Sequence, residues 1–422
     1  MLQISQGEPA VRHALVAIGA LNERRDMFIS DLRHNGPASS MRQQSTEIVT
    51  MAAGGQQQQH DDPFAISQYN KAMSHLARNV SGSGSMSVDS TLLACILFIC
   101  VECLRGDWQL AMRHYYAGMA IALNASQHDA SHRTLHAASS RQQLWGFFTR
   151  LELLSQLFGH RPAYEYGIEP LEAVPIEFTS VVEARDSIVH IMNLSLRFIH
   201  GSTPRRIRTN VTSHDFEYRS MLLGSLEKWG KALYNFLERS QPCLRITEAA
   251  IILQIHQIVT TTWLNRCLVP SESVADADNP LYERAVHLAE TFQHQISTTN
   301  ETSTFLFDME IVSPLYLVAI KCRHPIVRRR AIAVLLQSVR REGLWDSQKA
   351  AAIAERVVQI EEDGLWPLDG SVLPKEWVRV CNAQIDSGPG LHPTHHKVTF
   401  TTMPDGPGGK CKRWVEHLHL RT

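Results

Sequence analysis

Apolar residues recur at helical spacing through nearly every ordered segment of this chain, and short Gly, Pro and Ser breaks separate the segments. A chain patterned this way must bury one stripe of each helix against other helices, which restricts it to an all-α architecture of packed hairpins. The first stripe follows Pro9, a residue tolerated in a helix's first turn, and runs through Val11, Leu15, Ile18, Leu21 and Met27. Asp62-Pro63 reads as a cap followed by a first-turn proline, opening a helix through Tyr69, Ala72, Met73 and Leu76 that Ser81 to Ser85 ends. Ser87 to Leu104 and Asp107 to Asn124 form the next pair, joined by the Arg105-Gly106-Asp107 turn with Asp107 as N-cap. Trp108, Ala111, Tyr115 and Gly118 have the spacing of a tetratricopeptide unit, but no second copy follows at a fixed period.

Further helices are expected at Gln142 to Phe158, Val181 to Ile199, Asp215 to Arg239, Ile246 to Leu268, Pro280 to Thr298 and Phe305 to Lys321. Residues 36–61, with Gly54-Gly55 and a glutamine run, lack the apolar surface to order themselves and read as a low-complexity loop. Residues 128–140 read as a polar linker, and the prolines between Pro162 and Pro175 argue for an irregular connection that covers a cleft. Beyond Gly364 the pattern changes. Val378-Arg379-Val380 and Lys397 to Thr401 alternate as strands do, and Asp405-Gly406-Pro407-Gly408-Gly409 could turn a hairpin back through Trp414 and Leu418. The expected layout is a helical domain over 1–366 and a small β-hairpin-like appendage over 367–422.

Composition closes several functional classes. With 422 residues, 44% of them hydrophobic, the chain can bury a large core without disulfides. Its formal net charge of −1 is not that of a protein gripping nucleic acid by counterion release alone. The apolar run from Leu92 to Val101 is half of the roughly 20 residues that span a bilayer, so a buried helix is expected and no membrane partner. Met1 to Gln6 lack a secretory pattern, which makes the sequons at Asn79, Asn124, Asn193, Asn210 and Asn300 chance matches and the cysteines reduced thiols.

Catalytic motifs are lacking. There is no G-x-S-x-G and no H-E-x-x-H, and Gly224 to Ala232 resembles a phosphate loop with one spacer too many and no magnesium-binding hydroxyl. Gly408-Gly409-Lys410 lacks the upstream strand of a phosphate cradle. Among the cysteines Cys95, Cys100, Cys103, Cys243, Cys267, Cys322, Cys381 and Cys411, Cys100 and Cys103 alone have ligand spacing, inside an apolar run that favours buried thiols. His392, His395, His396, His417 and His419 could converge on a metal or remain polar tail residues, whereas His287 and His294 read as packing or surface residues. Arg323, Arg328, Arg329, Arg330, Arg340 and Arg341 could hold phosphate or an acidic segment. The favoured reading is a solvated or ion-paired face matched by Glu342, Glu355, Glu361, Glu362 and Asp363.

A set of landmarks occurs in order: Glu8-Pro9 through His13 to Leu21; Leu92-Leu93-Ala94-Cys95 through Arg105-Gly106; and Asp308-Met309-Glu310 leading to Pro314-Leu315-Tyr316. Lys321-Cys322-Arg323-His324-Pro325, the basic run with Arg328, Arg329 and Arg330, and Arg341 to Ser347 with Trp345 complete the set. Together they resemble the regulatory region of fungal zinc-cluster transcription factors. Six cysteines in two close groups hold that family's binuclear zinc; the scattered cysteines here cannot, so zinc is expected only in a segment outside this sequence.

The resemblance implies a nuclear, non-enzymatic regulator of RNA polymerase II transcription, serving a metabolic gene set. It would meet the transcription machinery, a related factor or a small-molecule effector, and reach DNA indirectly or through a missing finger. Two other readings stand beside it: a fingerless co-regulator that pairs with another protein, and a helical small-molecule binder or enzyme with a pocket between helices.

Overall fold

The computed structural model describes residues 6–34, 62–81, 86–128, 135–157, 171–207, 210–241, 243–299, 305–386, 395–406 and 409–419. The chain forms two compact units, one from residues 1–151 with 304–308, the other from 152–303 with 309–421. Twelve α-helices and six short strands occur among the described residues.

The first unit holds helices α1 (Pro9–His34), α2 (Pro63–Ser81), α3 (Val88–Arg105) and α4 (Trp108–His128), the first part of α5 (Leu135–Leu157) and the two-residue strand β1 (Phe305–Leu306). Helix α1 packs on α2 and α3, and α3 pairs with α4 as a hairpin. The caps at Asp62 and Asp107 are those the sequence implies, and Ser87 adds a third. Asp62 Oδ1 accepts the N–H of Phe64 at 2.9 Å, Ser87 Oγ that of Ser90 at 3.1 Å and Asp107 Oδ1 that of Leu110 at 3.0 Å. Gly106 ends α3 at φ 79°, a left-handed conformation in which its N–H reaches Cys103 O at 3.2 Å. The run Leu92 to Val101 is buried at every position except the half-buried Cys100, so α3 forms the core of this unit with Ala14, Ala17, Tyr69 and Ala72. Gly118 lies so close to Phe148 that an added Cβ would meet the ring at 2.7 Å.

The second unit begins with residues 152–157 of α5 and continues with α6 (Val181–Ile207), α7 (Ser213–Arg239), α8 (Leu244–Arg266) and a 3-10 helix (Glu272–Asp278). Helices α9 (Asn279–Thr299), α10 (Val312–Lys321), α11 (Pro325–Gln337) and α12 (Ser347–Glu361) complete the helical part. Thr212 and Asp215 form a reciprocal capping box on α7, where Gly224 to Ala232 is ordinary helix and no phosphate loop. Trp229, fully buried, donates its Nε1–H to Ala184 O at 2.9 Å and so fixes α7 to α6. Every residue of α10 is buried among α8, α9, α11 and α12. Strands β2 (Arg341–Glu342) and β3 (Trp345–Asp346) make a tight antiparallel turn at Gly343. An antiparallel three-stranded sheet, β4 (Val380–Asp386), β5 (His395–Thr402) and β6 (Lys412–His419), follows, with Phe400 opposite both Ala383 and Trp414. Arg356 of α12 pairs through both forks with Glu416 of β6, at 2.6 and 3.0 Å.

Four sequence expectations need correction. Phe305 to Lys321 is not one helix: α10 starts at Val312, because the Glu342 carboxylate accepts the N–H groups of Glu310, Ile311 and Val312 at 2.9, 3.0 and 3.0 Å and sets the helix start there. The polar stretch 128–140 is helical from Leu135, where Ala- and Gln-containing sequence propagates α5 into a segment read as linker. Val378 closes a short 3-10 turn (Glu376–Val378), and β4 begins only at Val380. The arginine cluster is ion-paired as expected but mostly not solvated: Arg323, Arg328, Arg340 and Arg341 are buried. The loop 36–61, the stretch 162–170 and His392 lie outside the described residues, as do the side chains of His395, His396 and His419.

Candidate functional site: a cavity beside a buried ion-pair cluster

The landmark Lys321-Cys322-Arg323 ends α10 and turns into α11, whose first position is Pro325 with the ring in place of an N–H that would have had no helical partner. The turn carries two cations into the protein interior. Arg323, fully buried, donates to Glu361 Oε1 at 3.0 Å, to Glu272 Oε2 at 3.3 Å and to the carbonyls of Lys321 and Val380 at 2.7 and 3.3 Å. Arg328, also fully buried, takes the other oxygen of Glu361 at 2.9 Å and Ala319 O at 3.2 Å. Glu361 additionally accepts the N–H of Val380 at 2.8 Å. Burial raises a carboxyl's pKa, but here the two guanidiniums outweigh it and hold Glu361 below the ordinary carboxylate value.

Glu272, at the start of the 3-10 helix, is the single carboxylate facing Lys321 at 2.8 Å, Arg323 at 3.3 Å and Arg266 at 4.0 Å. Burial would push it up; the three cations prevail and hold it at about 2. Lys321 is brought down to about 8, first by burial and further by Arg266 and Arg323, against the pull of Glu272. Its ammonium also donates to Cys381 O at 3.0 Å. Arg379 ties the same 3-10 helix to the chain before β4 through a forked pair with Asp276 at 2.8 and 2.7 Å.

Next to this cluster lies a cavity of about 330 Å³, within the usual size range of small-molecule pockets, roughly 300–1,000 Å³. Its apolar lining comes from Leu157 of α5, Ile199 of α6, Trp263 of α8, and Tyr316, Leu317 and Ile320 of α10, with Trp345 of β3. Tyr316 and Trp345 pack with ring centroids 5.2 Å apart. Its charged lining is Arg206, Arg266, Lys321 and Glu272. Thr203, Ser313, Asn382 and Gln384 add neutral polar groups. Ser313 is 4% exposed and its Oγ has no hydrogen-bond partner, and the Nε atoms of Arg206 and Arg266 are likewise buried and unpartnered.

The structure places the remaining landmarks as follows. Pro314 lies buried in the first turn of α10, and Cys322 is buried with its thiol 3.5 Å from Asn279 Oδ1, its pKa pushed up to about 11 by burial. Arg329 pairs with Glu362, and Arg330 with Glu290 at 2.7 and 2.9 Å, on the outer side of α11. In the first unit Pro9 opens α1, His13 Nδ1 lies 2.7 Å from Gln68 Oε1 and Arg105 pairs with Glu102 at 2.8 Å beside Gly106. Lys321 and Trp345 are thus brought to one cavity, whereas Pro314, Cys322, Pro325, Arg329 and Arg330 are not among its lining residues. Arg206, Arg266, Glu272 and Ser313 carry no signal in the sequence; only the half-buried position of Glu272 beside three cations distinguishes it, and no spacing reveals that. Among the described residues no group of three or more His, Cys, Asp or Glu could hold a metal ion, and no helix is long and apolar enough to cross a membrane. His287 and His294 are exposed on α9, and His417 is exposed on β6.

No protein-family model and no solved structure matches the chain. Two curated proteins do. The chain is 21% identical to the aspercryptin biosynthesis cluster-specific transcription regulator atnN of Emericella nidulans, over 77% of this chain and 68% of that protein. It is 30% identical to the transcription regulator lscL of Purpureocillium lilacinum over 122 residues, which are 29% of this chain and 25% of that protein. Both relatives are fungal transcription regulators, and it is to such proteins, not to enzymes, that this chain is similar.

Proposed function

We propose that this chain is the helical regulatory part of a fungal transcription regulator of the zinc-cluster type, acting in the nucleus on RNA polymerase II transcription of a biosynthetic gene set. The observation that carries this reading is the similarity to atnN across 77% of the chain. The landmarks from Glu8 to Ser347 fall in helices, in the β2–β3 turn and beside a buried ion-pair cluster. In this reading zinc belongs to a six-cysteine segment outside these residues, and the chain meets protein partners of the transcription machinery. The test is deletion of the gene followed by transcript profiling and localisation of a tagged copy. Coordinated loss or gain of a clustered gene set, with nuclear signal, supports it; unchanged transcripts and a cytosolic signal under every growth condition reject it.

A second reading, a co-regulator that pairs with a finger-bearing protein, is favoured by one specific observation. The net charge is −1, and the arginines that looked available for phosphate are engaged by glutamates. Gel-shift titration of the purified chain with its target promoters distinguishes the two: sequence-dependent binding by these residues alone contradicts the co-regulator.

A further inference from the structure

We propose that the cavity between α6, α8, α10 and β4 is a binding site for a small amphipathic monocarboxylate, whose carboxylate is received by Arg206 and Arg266 and whose apolar body lies against Trp263, Tyr316 and Ile320. The charge of the lining gives the sign of the ligand: three cations face a single carboxylate, Glu272, which already has Lys321 at 2.8 Å. Arg266 is 4.0 Å from Glu272, beyond hydrogen-bond reach. The Nε atoms of Arg206 and Arg266 are buried without partners, and so is Ser313 Oγ. These shielded atoms face no open space themselves, but a guanidinium that the protein leaves incompletely satisfied keeps its outer N–H groups for a further acceptor. A carboxylate is such an acceptor, and guanidinium forks suit its planar geometry. Two indoles, a phenol ring and aliphatic side chains supply the remaining lining, which selects a ligand with an apolar body over a compact polar anion.

The site is also placed to relay occupancy. Lys321, in the cavity lining, donates to Glu272 and to Cys381 O of β4, and Glu272 in turn binds the buried Arg323. A second carboxylate beside Arg266 therefore competes for the charges that hold the end of α10 to β4. As a regulatory input this rests on the reading of the chain as a transcription regulator; ligand binding itself does not, and is measured on purified protein without a transcriptional readout.

The experiment is calorimetric titration of the full chain with butyrate, hexanoate, octanoate, phenylacetate and cinnamate, each beside its uncharged amide. At least one of the longer or aryl acids is expected to bind saturably, with its amide weaker by about tenfold or more. Arg206→Gln is expected to remove that preference for the acid, and Ala383→Phe, which fills the cavity from β4, to abolish binding at an unchanged circular dichroism spectrum. If Ala383→Phe unfolds the protein, Arg206→Gln and Thr203→Phe decide the question. No binding by any acid, equal binding of acid and amide, or binding indifferent to these substitutions overturns the proposal.

Discussion

Arg323 and Arg328 close on opposite oxygens of one carboxylate, Glu361, at 3.0 and 2.9 Å, and none of the three side chains is exposed. An ion triad of this kind is a weak source of net stability, because the desolvation of three charges offsets most of their attraction. Its members are nevertheless mutually dependent, since removing one leaves the others charged in a medium that solvates them poorly.

Glu361→Gln is accordingly expected to destabilise the second unit by about 3 to 5 kcal/mol, the cost of breaking a buried pair from one side. Urea unfolding followed by tryptophan fluorescence measures it. A loss comparable to that of an exposed pair, such as Lys231→Gln opposite Glu227, would show that water reaches the triad.

Glu272 gives the acid limb of stability. Its carboxyl ionises near 4.5 in an unfolded chain and at about 2 in the folded one. The folded state thus binds fewer protons between these values, so the stabilisation is complete above the unfolded value and disappears as pH falls through about 2. Unfolding free energy should decline over that window in the parent protein and decline less steeply in Glu272→Gln, which has no proton to take up there.

Glu342→Ala strips the start of α10 of its acceptor and leaves the N–H groups of Glu310, Ile311 and Val312 to find others. The expected loss is about 3 kcal/mol, since buried unsatisfied donors cost roughly 1–3 kcal/mol each and neighbouring carbonyls recover part of it. Hydrogen exchange should show the amide protection lost first at these three residues.

Gly118→Val places a branched side chain where a first carbon alone would lie 2.7 Å from the Phe148 ring. Overpacking of this kind costs about 1–3 kcal/mol. The thermal midpoint of the first unit should fall, with the α4 amides less protected.

Much of this was readable from local chemistry. The caps at Asp62 and Asp107, the turn at Gly106 and the strand alternation of Lys397 to Thr401 depend on residues within a turn of each other, and the sequence states them directly. The start of α10 depended instead on Glu342, some thirty residues downstream, so Phe305 to Lys321 looked like one helix. The arginines from Arg323 to Arg330 showed their glutamate partners by composition, yet not that Arg323 and Arg328 are buried, because Glu272 and the carbonyl of Val380, which receive Arg323, come from distant segments. The cavity was illegible for the same reason. Its lining is drawn from five helices and two strands, and no two of its arginines share an element.

The carbonyls of Val380 and Cys381, which accept from Arg323 and Lys321, also set the order in which this chain can mature. A polypeptide that ends before β4 already holds the carboxylates Glu272 and Glu361 for that arginine and lysine, but lacks these two carbonyl acceptors. The polar interior of the second unit is therefore complete only when β4 joins the helices that precede it.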